Sequence, residues 1–150
     1  MENTGLNSII DFAIDREKEA VEFYTALQEK TKFAGVRDML KELAAMETGH
    51  ISVLNSIRTK GIDNISIQQI KNLHISDYMV EKEPSQDMDY QDILIIAMKR
   101  EEKSKALYED LAVRFEDSPT GKLFSKIAAE ESDHKLKFEK LYDETVLKEN

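Results

Sequence analysis

Two Glu-x-x-His pairs stand out in a sequence with only three histidines: Glu47 with His50 in METGH, and Glu131 with His134 in EESDH. Residues three apart lie on the same face of an α-helix, so each pair would present a carboxylate and an imidazole together. Oxygen and nitrogen donors of this kind suit iron and manganese better than soft metals. The pairs therefore predict metal ligands. The third histidine, His74, has no Glu at this spacing, and we expect it to be exposed.

The chain repeats itself at an offset of 84 residues. This shift lays AIDREKEAVEFYTAL (13–27) on AMKREEKSKALYEDL (97–111), and it lays AAMETGH (44–50) on AAEESDH (128–134). Glu17 thereby matches Glu101, and the two Glu-x-x-His pairs match each other. One offset aligns two pairs of segments, so the sequence predicts a duplicated helical hairpin.

Four long helices must carry these residues. Helical periodicity covers residues 7–32 and 36–60, and a third helix is predicted from about Asp89 to Phe115. Ser118 and Pro119 then provide an N-cap and a first helical residue for a fourth helix, which runs to about residue 148. No alternating β pattern competes, so the fold class is all-α.

Connection lengths predict how the helices are arranged. The loop within each hairpin is about three residues long, which makes the two helices antiparallel neighbours. Residues 61–88 read mainly as a connection, with a short helix near 66–72. A connection of this length can cross a bundle of helices that are each about 37 Å long. We therefore expect one domain over residues 1–150, a ferritin-like antiparallel four-helix bundle with a long crossover between its second and third helices.

The core-facing positions of these helices contain acidic residues where apolar ones are expected. Spacing of three and four residues selects Ile10, Ala13, Glu17, Ala20, Tyr24 and Leu27; Leu40, Leu43, Glu47, His50, Leu54 and Ile57; Leu94, Ala97, Glu101, Ser104, Tyr108 and Leu111; and Phe124, Ile127, Glu131, His134, Phe138 and Leu141. These positions hold four Glu and two His but none of the 21 Lys and Arg residues. Within each hairpin the Glu and His positions fall within about 6 Å of one level along the helix axes. Four buried carboxylates need counter-charges, and two divalent metal ions would supply them.

Residues next to these positions have simpler expected roles. Glu102 and Glu130 are out of phase with the core-facing rows, and we expect them to be solvated. Tyr24 and Tyr108 lie two turns after Glu17 and Glu101. Their rings either pack in the core or donate a hydrogen bond to a ligand carboxylate, and the sequence leaves both open.

Composition excludes several kinds of function. Acidic residues outnumber basic ones 30 to 21, and the net charge of −9 argues against nucleic acid and anionic membranes as partners. The sequence has no cysteine, which excludes disulfides, cysteine-ligated metals and cysteine nucleophiles. It shows no secretion signal and no run of apolar residues long enough to span a membrane, so we expect a cytoplasmic protein.

The segments AIDREKEAVEFYTAL…AAMETGH and AMKREEKSKALYEDLA…AAEESDH resemble the ferritin-like domain of rubrerythrins, especially short single-domain members. A Glu from each of two helices and a Glu-x-x-His from each of the other two is the ligand set of ferritin-like di-iron proteins. The resemblance implies that Glu17 and Glu101 are terminal ligands, that Glu47 and Glu131 bridge two iron ions, and that His50 and His134 bind one ion each. Manganese or zinc are possible substitutes.

The chain departs from rubrerythrins at two points. Standard members carry a rubredoxin-like domain with a Cys₄ iron site, and this sequence has no cysteine. Many members also have an additional Glu one turn after the ligand of the third helix, where this sequence has Ser104.

By this resemblance we expect an enzyme that reduces hydrogen peroxide or dioxygen with electrons from an external donor such as a rubredoxin, and we expect a homodimer. The alternatives are a ferritin-like iron-oxidising and iron-storage protein, a di-iron oxygenase that acts on an organic substrate, and a purely structural bundle.

Overall fold

The computed structural model describes residues 4–31, 33–60 and 90–149 and contains four α-helices there. They are α1 (Thr4–Lys30), α2 (Ala34–Lys60), α3 (Tyr90–Arg114) and α4 (Pro119–Glu149). No strand occurs in these ranges. The all-α class and the four long helices are confirmed, and the helix ends lie within three residues of the predicted ones.

Burial follows the predicted core-facing rows closely. Of the 24 positions selected by spacing, 22 are buried, and only Ser104 and Leu141 are half-buried. Each helix is therefore amphipathic in the phase that the sequence indicates, with one face in the core and the other in solvent.

The first hairpin consists of α1 packed against α2. The backbone N–H of Arg37 donates to the carbonyl of Phe33 at 3.0 Å, so the hydrogen-bond ladder of α2 begins at the residue just before the helix. An ion pair between Arg58 and Asp11 joins the end of α2 to the start of α1, as antiparallel helices require.

The second hairpin consists of α3 packed against α4, and Ser118 caps the start of α4 as predicted. The Ser118 Oγ accepts a hydrogen bond from the backbone N–H of Gly121 at 3.0 Å, the geometry of an N-cap. Asp117, just before it, has a φ of 66°, a left-handed conformation that Asp tolerates better than most residues. At Gly121, an added Cβ would lie 2.1 Å from the carbonyl oxygen of Phe115, so only glycine allows this close approach.

The chain divides into two compact units, Met1–Leu73 and His74–Asn150, and each contains one hairpin. The predicted crossover at 61–88, its short helix near 66–72, the start of the third helix at Asp89 and the exposure of His74 lie outside the described residues. The single domain therefore stays a prediction. Within the described residues, no helix has the combination of length and apolar character that crossing a membrane requires.

Candidate metal centre

The first hairpin brings three of the predicted ligands together. Glu17 projects from α1, and Glu47 and His50 project from successive turns of α2; their exposures are 1%, 1% and 4%. His50 Nδ1 lies 3.4 Å from Oε2 of Glu17 and 3.6 Å from Oε1 of Glu47. The antiparallel packing of α1 on α2 thus places a carboxylate from each helix beside one imidazole nitrogen. We call these three residues the first triad.

The second hairpin repeats this arrangement with Glu101 on α3 and Glu131 and His134 on α4. Their exposures are 1%, 0% and 0%. His134 Nδ1 lies 3.6 Å from Oε2 of Glu101 and 3.8 Å from Oε1 of Glu131. The same nitrogen again faces one carboxylate from each helix. These residues form the second triad, and the sequence repeat is thereby matched by a repeat in side-chain geometry.

Burial separates these six residues from nearly all other polar ones. The buried polar or charged residues in the described part of the chain number seven, of which six are the predicted ligands and the seventh is Thr31. Burying an ionised carboxylate is costly unless it is paired or coordinates a metal. Four buried carboxylates and two buried imidazoles in two matching triads therefore indicate a functional site rather than a chance arrangement.

The distances within each triad suit ligands that share one metal ion. Two donor atoms each about 2.1 Å from an ion lie about 3.0–3.6 Å apart when the angle between them is about 90–120°. The nitrogen-to-oxygen distances of 3.4–3.8 Å are in or just above this range. They are longer than the charge-assisted hydrogen bonds of about 2.7–2.9 Å that a histidine–carboxylate pair would form alone. In each triad all three residues offer a donor atom, and these atoms lie within 4.8 Å of one another.

Charge leads to the same conclusion. Each triad holds two carboxylates, and its single His can contribute at most one positive charge. No Lys or Arg is buried among the side chains that the structure describes. A divalent cation would neutralise both carboxylates of a triad, and the residues present therefore fit a metal ion of charge two.

Of the residues next to the predicted ligands, Glu102 is found as the sequence predicts, and Glu130 is not. Glu102 is exposed, and its Oε1 lies 3.8 Å from Nζ of Lys135. Glu130 is half-buried rather than fully solvated. Tyr24 and Tyr108 are fully buried. The Tyr24 ring packs edge to face on the Phe23 ring, with ring centroids 5.8 Å apart. The Tyr108 ring stacks on the Phe124 ring, with ring centroids 6.3 Å apart. Packing of both rings is confirmed, whereas a hydrogen bond from either phenol to a ligand stays a prediction.

A family model described as Rubrerythrin matches residues 8–142. The chain belongs to the rubrerythrin family. The matched range contains both triads completely, so the family assignment and the buried ligand candidates concern the same residues. As a rubrerythrin-family member, the chain is a ferritin-like di-iron carboxylate protein, and its family indicates oxidoreductase activity in general. No curated protein and no solved structure matches the chain.

Sequence reasoning did not single out two features that shape the second hairpin. Gly121 and Asp117 set the turn into α4, and the only signal available was their proximity to the predicted N-cap at Ser118. The half-buried state of Ser104 was also not foreseen, because helical spacing gives the phase of a position but not how completely its neighbours cover it.

Proposed function

We propose that this protein is a rubrerythrin-like iron peroxidase that reduces hydrogen peroxide, or dioxygen, with electrons from a separate donor. The observation that carries the proposal is the pair of buried Glu–Glu–His triads in a chain of the rubrerythrin family. The overall reaction with peroxide consumes two electrons and two protons for each H₂O₂ and yields two molecules of water.

The six residues would together hold two iron ions. Following the family resemblance, Glu17 and Glu101 would be terminal ligands and Glu47 and Glu131 would bridge the ions. Each imidazole would bind one ion through Nδ1, the atom that lies beside the carboxylates in both hairpins. Bound iron would supply the Fe(II)/Fe(III) couple, while the carboxylates neutralise its charge and keep it in place.

The electron donor would be a different protein. Iron–sulfur and rubredoxin-type iron sites need cysteine thiolates, and these 150 residues contain none. A rubredoxin is the kind of donor that the family resemblance suggests. A homodimer and a cytoplasmic location are parts of the same proposal.

Metal content is the first test. The metal-free protein is loaded anaerobically with Fe(II), freed of excess metal and assayed for iron and protein. We expect about two iron ions per chain, and His50→Ala and His134→Ala should each lower the content toward one. Glu101→Gln removes the negative charge of one predicted ligand. Glu102→Gln is its matched control, because it makes the same chemical change one residue away at an exposed position. A near-zero iron content in the wild type would refute the hypothesis that the two triads bind metal.

Reactivity is the second test. The reduced, iron-loaded protein is mixed with hydrogen peroxide or with dioxygen in a stopped-flow instrument, and iron oxidation is followed by absorbance. We expect peroxide to react faster, and we expect repeated turnover only when reduced rubredoxin is present. Assembly into a large cage that mineralises many iron ions per chain would favour the storage function instead. Faster reaction with dioxygen that depends on an organic substrate would favour an oxygenase.

A further inference from the structure

The two predicted ligands of α2 are separated by residues that weaken a helix. Thr48 and Gly49 lie between Glu47 and His50, and both are exposed. Glycine in a helix interior is less favourable than alanine, by about four- to fivefold in the helix–coil equilibrium. The Thr48 hydroxyl donates to the carbonyl of Ala44 at 3.0 Å, a contact that slightly destabilises helices and often bends them. The backbone of α2 is therefore weakened at the point where it carries two ligands.

Packing does not require glycine at position 49. A Cβ added there would meet no atom of the described residues within 4 Å, whereas at Gly121 an added Cβ would collide with the backbone. Any small side chain would thus fit at position 49. The property that distinguishes Gly49 from such a residue is the freedom of its backbone.

The sequence repeat supplies a comparison, because α4 carries a ligand pair at the same spacing. The counterpart of Gly49 on α4 is Asp133, which forms an ion pair with Lys137 at 3.2 Å, one turn further along the helix. Lys135 pairs in the same way with Glu139 at 3.6 Å. Ion pairs at this spacing stabilise a helix, each by up to about twofold in the helix–coil equilibrium.

The matching part of α2 cannot form ion pairs of this kind. Residues 51–56 read ISVLNS and contain no charged residue, whereas the matching residues 135–140 read KLKFEK and contain four. Together with the glycine, this difference favours local opening of α2 over that of α4 by about three- to tenfold. The two triads therefore have matching side-chain geometry on helices of different local stability.

We propose that α2 opens locally at its ligand pair more often than α4 does, and that the first triad is the half of the centre at which metal enters and leaves faster. The inference rests on the proposed function, because it supposes two bound iron ions. Gly49 contacts no ion and acts as a positioning residue, through the backbone that holds Glu47 and His50. Since the opened state is a small minority, opening accelerates binding and release equally and leaves the affinity unchanged.

Hydrogen exchange of the metal-free protein tests the first part. Backbone amides in peptides that cover residues 44–56 and 128–140 are compared by mass spectrometry, after correction for the intrinsic exchange rate of each sequence. We expect the α2 segment to exchange about three- to tenfold faster than the α4 segment. Gly49→Ala should slow exchange in the α2 segment by about four- to fivefold, and the reciprocal Asp133→Gly should accelerate it in the α4 segment by about threefold.

Two control variants separate this effect from general stabilisation. Gly35→Ala makes the same change at another exposed glycine of α2 where an added Cβ has room, and it should leave both segments unchanged. Asp133→Ala loses the ion pair with Lys137 but gains helix propensity, so exchange in the α4 segment should change by less than about twofold.

Iron release tests the second part. The Fe(II)-loaded protein is mixed anaerobically with an excess of a chelator that absorbs light when it binds Fe(II). We expect two phases of about one ion per chain each. Gly49→Ala should slow only the faster phase and Asp133→Gly should accelerate only the slower one, each by the factor found in hydrogen exchange. Gly35→Ala should change neither phase.

Several results would overturn the inference. Equal protection of the two wild-type segments, or unchanged exchange in Gly49→Ala, would show that α2 is not the weaker helix. Slowing of both iron phases in Gly49→Ala, or of the slower phase alone, would remove the link between α2 and fast exchange. Iron that is retained but released in one phase would refute this inference alone. A wild type that retains no iron would refute the proposed function, and the exchange of metal at the first triad with it.

Discussion

Glu101 allows the relation between the metal and the fold to be tested quantitatively. It is 1% exposed on the core-facing row of α3, and its Oε2 lies 3.6 Å from Nδ1 of His134. Without metal, the fold has to bury this carboxylate close to a second one, that of Glu131. Replacing buried ionic groups with packed apolar residues is commonly stabilising by about 1–4 kcal/mol. We therefore predict that Glu101→Leu stabilises the metal-free protein by about 1–3 kcal/mol.

Two further contributions limit this magnitude. Leu is similar enough to Glu in size and helix propensity that repacking should cost less than about 1.5 kcal/mol. With metal present the sign should reverse, because a ligand at about 1,000 times its Kd stabilises the native state by about 4 kcal/mol. The variant loses a carboxylate ligand and therefore much of that contribution. Removing metal should thus destabilise the wild type far more than the variant.

Urea denaturation in the presence of a chelator measures the first part of this prediction. At an m-value of about 2 kcal/mol/M, the midpoint of the variant should be higher by about 0.5–1.5 M. Glu102→Leu is the control, since the Glu102 side chain is 62% exposed and its replacement should change stability by no more than about 0.5 kcal/mol. A metal-free Glu101→Leu protein that is less stable than the wild type would refute the reasoning, because Glu101 would then stabilise the fold without metal.

Three further predictions concern local structure. Gly121→Ala should destabilise the protein by about 1–3 kcal/mol, because its Cβ would collide with the carbonyl of Phe115. Gly49→Ala should instead stabilise it by about 0.5–1 kcal/mol, because a Cβ at position 49 would have nothing within 4 Å. The urea midpoints of both variants test these two predictions. Ser118→Ala removes the N-cap of α4 and should cost about 0.5–2 kcal/mol in the same assay. Tyr108→Phe keeps the ring that stacks on Phe124, so iron content should stay at the wild-type value, and a loss of iron would instead assign the phenol to a ligand.

The sequence was most informative where periodicity and chemistry conflict. Glu17 and Glu101 interrupt apolar rows at positions that helical spacing assigns to the core, and both are buried there. A polar residue at a core position is costly, so it persists where function requires it, and this made the site predictable. Ser118 before Pro119 similarly combines two local preferences, and α4 begins at Pro119.

What the sequence could not provide depends on contacts between distant residues. The need for glycine at position 121 comes from the carbonyl of Phe115, which only the folded turn brings close. The different burial of Ala20 and Ser104 depends on how neighbouring side chains cover equivalent positions. Spacing within one helix contains no information about either.

The duplicated sequence explains why the charge of the site can be balanced one hairpin at a time. Each triad supplies two carboxylates and one imidazole, so a divalent ion bound to it with neutral His gives a net charge of zero. Both halves of the repeat therefore retain the same three residue types, although most other positions differ. A bound iron ion that lost one electron would add a positive charge to a buried triad, and burial would make that charge costly unless it were compensated. Because the two triads match in residue type and in burial, both should bind a divalent ion alike.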